Sequence, residues 1–165
     1  MNVVLCGMMG CGKTAVSKAY SQLYGVEMVD TDAVIVERHG EISAIFATYG
    51  EEQFRNIETS VTKEVASSFN NAVISLGGGC VLRSENVEAL KQSGKIFYLR
   101  TKAETIIKRL KGDSTRPLLQ GDLEERVNSI LAKRSSIYES VADVIIDTDG
   151  LTPEEIAKKI RTLIV

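Results

Sequence analysis

Gly7-Met8-Met9-Gly10-Cys11-Gly12-Lys13-Thr14 fits the phosphate-loop pattern G-x-x-x-x-G-K-[ST] at every specified position. Its flanks fit as well. Val3-Val4-Leu5-Cys6 reads as a short strand buried on both faces. Ala15 to Leu23 reads as a helix with no Pro or Gly inside. Strand, glycine loop and helix in that order build an anion site. Glycines let successive backbone N–H groups curl around phosphate oxygens, and the positive end of the helix faces the charge. Lys13 adds a point charge near the β- and γ-phosphates, and the Thr14 hydroxyl is a ligand for Mg²⁺. The pattern implies a nucleoside triphosphate bound with Mg²⁺. Taken alone, it says nothing about the reaction.

The remaining totals restrict the setting. A chain of 165 residues with 44% apolar and 25% charged residues is ordinary for one soluble domain with a real core. Its formal net charge of −2 gives no global attraction to nucleic acid or an anionic membrane. No apolar run reaches the length of a membrane span, and no basic, apolar leader precedes the first strand. Cys6, Cys11 and Cys80 are odd in number and lack metal-ligand spacing, so they suit a reducing cytoplasm and a packing role. A cytoplasmic monomer that contacts neither nucleic acid nor membrane is the expectation.

Outward from the loop, Val26-Glu27-Met28-Val29 reads as a second strand, running into Asp30-Thr31-Asp32. On an extended segment Asp30 and Asp32 share a side, so both would face the phosphates and Mg²⁺. A helix cap from Thr31 or Asp32 is compatible with that role. Ala33 to Arg38 continues as a helix, stopped by His39-Gly40; Ile42 to Thr48 makes another, broken at Tyr49-Gly50. Glu51 opens a longer helix to about Ser67, with Phe54, Ile57, Val61 and Val65 as its apolar stripe. Arg55 and Glu58 sit three apart on another face, either as a solvated ion pair or as part of a site.

Ala72-Val73-Ile74-Ser75-Leu76 is a third strand, and Gly77-Gly78-Gly79 follows it. Three glycines at the carboxyl end of a strand suit backbone lying against a ligand. Ser84 is placed to cap a helix to Gln92. Ile96 to Leu99 is the fourth strand, and Thr101 with Glu104 has the spacing of a capping box for a helix carrying Lys108 and Arg109. The breaker-rich segment around Arg116-Pro117-Leu118-Leu119 reads as a lid over residues about 111–123. Leu123 to Tyr138 is a helix and Val144-Ile145-Ile146 the fifth strand. Asp147 to Gly150 turns the chain, and Thr152-Pro153 starts the last helix. Five apolar strands alternating with helices predict an α/β fold with a parallel sheet covered on both faces. With no repeat or linker in view, one domain over residues 1–165 is expected.

Taken together, the phosphate loop, Asp30-Thr31-Asp32, Phe54-Arg55-Asn56-Ile57-Glu58, Gly77-Gly78-Gly79, Arg116-Pro117-Leu118-Leu119 and Arg134-Ser135-Ser136-Ile137-Tyr138 resemble shikimate kinase. The resemblance keeps the family's order and spacing over nearly the whole chain. It implies the three-layer fold of P-loop nucleoside monophosphate kinases, strand order 2-3-1-4-5, with substrate-binding helices over residues about 31–67. It also implies transfer of the ATP γ-phosphate to the 3-hydroxyl of shikimate, on the route to chorismate and the aromatic amino acids.

By position, the resemblance assigns Gly10, Cys11, Gly12, Lys13, Thr14 and Ala15 to the phosphates and Thr14 with Asp30 to Mg²⁺. Asp32 falls at the shikimate hydroxyls as candidate general base. Arg55 and Arg134 fall at the shikimate carboxylate, with Glu58 orienting Arg55. Gly77, Gly78 and Gly79 lie along the ring. Arg116 reaches from the lid to phosphate and substrate, and Arg109 stacks on adenine. The chemistry agrees: guanidinium forks match a carboxylate, and an aspartate suits a hydroxyl to be phosphorylated. A gluconate kinase-like enzyme would share the loop, but Phe54-Arg55-x-x-Glu58 with the glycine triplet argues against it. A non-catalytic nucleotide-binding regulator would be expected to lack Lys13, Asp32 or a substrate arginine, and all are present.

Overall fold

The structure is a computed structural model that describes residues 1–112 and 122–164. Five parallel strands, β1 (Asn2–Cys6), β2 (Glu27–Asp30), β3 (Ala72–Ser75), β4 (Gly94–Arg100) and β5 (Val144–Asp147), form one sheet in the order β2-β3-β1-β4-β5. The central strands β1 and β3 are buried at every residue, whereas edge strands β2 and β5 are partly exposed. That contrast is why β1 and β3 read as unbroken apolar runs: both faces of a central parallel strand are covered.

Alternate residues of each strand feed two separate cores. Val4 and Cys6 of β1, Ile74 of β3, and Ile96 and Tyr98 of β4 face one layer. That layer contains α2 (Thr31–His39), α3 (Ile42–Ser68), α4 (Ser84–Ser93), α5 (Ala103–Leu110) and α6 (Leu123–Val141). Val3, Leu5, Val73, Phe97, Leu99 and Ile146 face the other, against α1 (Lys13–Tyr24) and α7 (Pro153–Ile164). Strands β1 and β3 are neighbours. The segments leaving their carboxyl ends turn into opposite layers and so open a crevice, the usual ligand position in such sheets.

Local details depart from the sequence reading in three places. The extended segment ends at Asp30, whose carboxylate caps α2 by accepting from Ala33 N–H at 3.1 Å; Thr31 and Asp32 are already helical. Ser84 is the first residue of α4 and gives no side-chain cap. Thr101 does not cap α5 either. Its hydroxyl pairs with that of Thr148 at 2.5 Å and contacts the Cys11 carbonyl, while Asp149 accepts from Lys102 N–H at 2.9 Å in its place. At α7 the expected cap is present and reciprocal: Glu155 N–H donates to Thr152 Oγ1 at 3.2 Å, and Thr152 N–H to Glu155 Oε2 at 2.8 Å. The break at Gly50 is a kink inside α3, where φ of 84° favours glycine.

Candidate active site

Three cavities lie in a row along the carboxyl ends of the strands. The first, about 260 Å³, is mostly apolar, walled by Val16, Leu151, Pro153 and Ile156 with Thr148 and Arg109. The second, about 470 Å³, is framed by the phosphate loop, with Gly10, Gly12, Lys13, Thr14, Ala15 and Asp30 on its lining. The third, about 330 Å³, carries Arg55, Glu58, Arg134 and the glycine triplet, against an apolar wall of Val36, Ile42, Phe46 and Phe54. Gly12, Ala15 and Arg109 line both the first and second; Met9, Asp32 and Gly78 line both the second and third. The row has the chemical order of a nucleotide followed by a small polar acceptor.

At the phosphate loop, α1 begins on Gly12, a left-handed residue at φ 100°. The Lys13 ammonium folds back to donate to the carbonyls of Gly7 at 2.7 Å and Met8 at 3.1 Å. Arg109 of α5 donates from Nη1 to the Gly10 carbonyl at 3.0 Å, which ties α5 to the loop. Asp30 and Asp32 both reach this cavity although one ends a strand and the other lies in a helix's first turn. Thr14 and Asp30 offer a hydroxyl and a carboxylate, hard oxygen donors suited to Mg²⁺, which takes one or two protein oxygens and completes its shell with phosphates and water. No cluster of three or more His, Cys, Asp or Glu among the described residues is placed to hold a metal ion without such help.

In the acceptor cavity the sequence left two readings for Arg55 and Glu58. They form a buried pair, 2.8 Å apart, with Arg55 8% and Glu58 1% exposed. A second contact joins Arg55 to Glu51 at 3.5 Å. Burial raises the Glu58 carboxyl above its ordinary range; Arg55 pulls it back, Asp32 raises it further, and Arg134 lowers it. Four charged groups from α2, α3 and α6 thus act on one another across this small space.

The glycine triplet is packed, not loose. A Cβ on Gly77 would lie 2.6 Å from Asp32 Oδ1 and 3.0 Å from Glu58 Oε2. On Gly79 it would lie within 2.6 Å of Arg55 Cζ and closer to both Nη atoms. The guanidinium rests on the bare backbone and cannot retreat without breaking its pair with Glu58. Gly79→Ala is therefore expected to raise the KM for the acceptor by about 10–100-fold, as loss of a charged hydrogen bond would. The KM for ATP should stay within twofold. Steady-state kinetics with each substrate varied in turn checks this, and equal shifts in both constants would count against it.

Of the residues expected at the site, Arg116 and most of the lid lie outside the described residues. The others line one of the three cavities. Met9 was not anticipated: it stands at an unspecified position of the loop pattern, and no signal marks it. Phe46 and Val36 read as ordinary helix positions; only the folded wall shows them. The cysteines are buried and free, and burial pushes the Cys6 thiol up to about 12 and the Cys80 thiol up as well, in keeping with packing.

The family profile described as shikimate kinase matches residues 9–165. The chain belongs to the shikimate kinase family. The shikimate kinase of Thermodesulfovibrio yellowstonii is 48% identical over 161 residues, covering 96% of this chain and 92% of that one. That of Caldicellulosiruptor bescii is 45% identical over 164 residues, covering 98% and 94%. Among solved structures, shikimate kinase from Acinetobacter baumannii in complex with shikimate superposes with a TM-score of 0.93 at 38% identity, over 99% of this chain and 92% of that one. Family membership carries the fold and the reaction class: the chain is an ATP-dependent phosphotransferase with an alcohol acceptor, acting in the shikimate pathway.

Proposed function

We propose that this chain phosphorylates the 3-hydroxyl of shikimate along the three joined cavities, giving shikimate 3-phosphate and ADP. The observation that carries the reading is that Asp32 alone, among the titratable residues described, lines both the phosphate cavity and the acceptor cavity. There it accepts a hydrogen bond from the attacking hydroxyl and takes its proton as phosphoryl transfer proceeds. Lys13 and the amides of Gly10, Cys11, Gly12, Thr14 and Ala15 hold the phosphates, and Arg109 stands beside the base. Thr14 and Asp30 hold Mg²⁺, which when bound neutralises phosphate charge. Arg55 and Arg134 meet the acceptor carboxylate as bidentate donors, and Glu58 keeps Arg55 in place. The apolar wall from Phe46 and Phe54 takes the carbon face of the ring. The enzyme works as a cytoplasmic monomer; among the described residues no helix is long and apolar enough to cross a membrane.

The test is ADP release with ATP and Mg²⁺, comparing shikimate, gluconate, several nucleoside monophosphates and no acceptor, in wild type and Arg134→Ala. Turnover with shikimate alone is expected. Arg134→Ala should raise the shikimate KM by about 10–100-fold, the cost of a charged bidentate contact, and the ATP KM far less. Turnover with another acceptor, or equal rises in both constants, would remove Arg134 from the acceptor clamp.

A further inference from the structure

Tyr138 lies one helical turn beyond Arg134 on α6, so the two side chains share a face. Its ring is fully buried and stacks on Tyr98 of β4, with centroids 5.0 Å apart and an interplanar angle of 29°. A phenylalanine would fill that space equally well. The hydroxyl is therefore the feature to explain, since burying it costs free energy unless it finds partners. It donates to the Gly78 carbonyl at 2.5 Å, and the positive charge of Arg134 acts on the same phenol. Burial pushes the phenol's pKa well above its ordinary value, so it remains a donor at neutral pH.

Gly78 C=O and Gly79 N–H belong to one peptide plane and, in a trans peptide, point in opposite directions. A hydrogen bond that fixes the carbonyl therefore also fixes the direction of the amide. Gly78 carries no side chain that could hold the turn, and Arg134 Nη1 lies 3.6 Å from where a Gly78 Cβ would be. One buried hydroxyl on α6 thus holds the glycine turn after β3 beside Arg134, from outside the cavity that the turn and Arg134 both line.

We propose that Tyr138 is a positioning residue for the acceptor: its hydroxyl sets the glycine turn and Arg134 in register, so that both meet the substrate in one geometry. The proposal rests on the acceptor site as read above. Tyr138→Phe keeps the ring and removes only the hydroxyl. In steady-state kinetics on the full chain it is expected to raise the shikimate KM about five- to tenfold, the loss of a buried hydrogen bond. The ATP KM should stay within twofold, with melting lowered by only a few degrees. Tyr98→Phe, which trims the stacked neighbour, is expected to leave both constants unchanged.

A shikimate KM within twofold of wild type in Tyr138→Phe would overturn the proposal. So would parallel rises in both constants, or the same rise in Tyr98→Phe, because each marks a merely structural role. Absence of shikimate-dependent turnover in the wild-type chain would overturn the acceptor-site reading itself, and this proposal with it. Wild-type turnover beside an unaltered Tyr138→Phe overturns this proposal alone.

Discussion

Lys13→Ala is expected to lower kcat by about 10²–10³-fold, the cost of removing one preorganised charge from the developing transition state. The ammonium is nearly dry, with Lys13 9% exposed, and is held by two carbonyls of its own loop. It has therefore already given up much of its hydration before a nucleotide arrives. Exchanging neutral carbonyl dipoles for phosphate oxygens strengthens its interactions, and they strengthen again as charge builds during transfer. Lys13→Arg should not restore the rate. A planar fork on a longer stem does not replace a compact ammonium tucked against Gly7 and Met8. Folding is a separate question: alanine takes a donor from the Gly7 carbonyl, while the Met8 carbonyl keeps the Cys11 N–H at 3.1 Å, but it also removes a desolvated charge, and these effects oppose each other. Calorimetry should show a modest drop in Tm beside the large loss of ADP release. A kcat within tenfold of wild type would refute the phosphate-loop role.

The fold was legible because its strongest signals are local. The phosphate loop, the unbroken apolar runs of β1 and β3, and glycines at strand ends each follow from a few adjacent residues. Helix caps show where local reading stops. Thr101 and Glu104 have the spacing of a capping box, yet Asp149, from the turn after β5, supplies the cap of α5. Thr101 is then left to bind Thr148 and the Cys11 carbonyl, joining the phosphate loop to the turn beside the first cavity. Only the sheet brings those segments together. Arg55 and Glu58 make the same point for the site. Their spacing of three permits an ion pair on any helix; what makes this pair informative is its burial against Gly79. The hydroxyl of Tyr138 acts on a carbonyl from another element, and neither spacing nor periodicity reports such a contact.

Asp32→Asn is the other substitution with a large expected effect, a fall in kcat of about 10²–10⁴-fold. Asparagine keeps the shape and one acceptor oxygen, so the acceptor hydroxyl can still be oriented. It cannot take a proton. The shikimate KM should therefore move only a few-fold while kcat collapses, which separates proton acceptance from mere orientation. Stability is expected to change little, because two effects oppose. Asp32 is an anion in the first turn of α2, where the helix dipole favours negative charge, and asparagine gives up that interaction. Asp32 also bears on buried Glu58 as a like charge and helps to raise its carboxyl, and asparagine removes that repulsion. An intact melting transition with turnover nearly abolished is the expected pair of results. If instead kcat falls less than tenfold while the shikimate KM rises strongly, Asp32 only holds the acceptor. Proton transfer would then follow phosphoryl transfer, as a loose transition state with little charge change at the attacking oxygen allows.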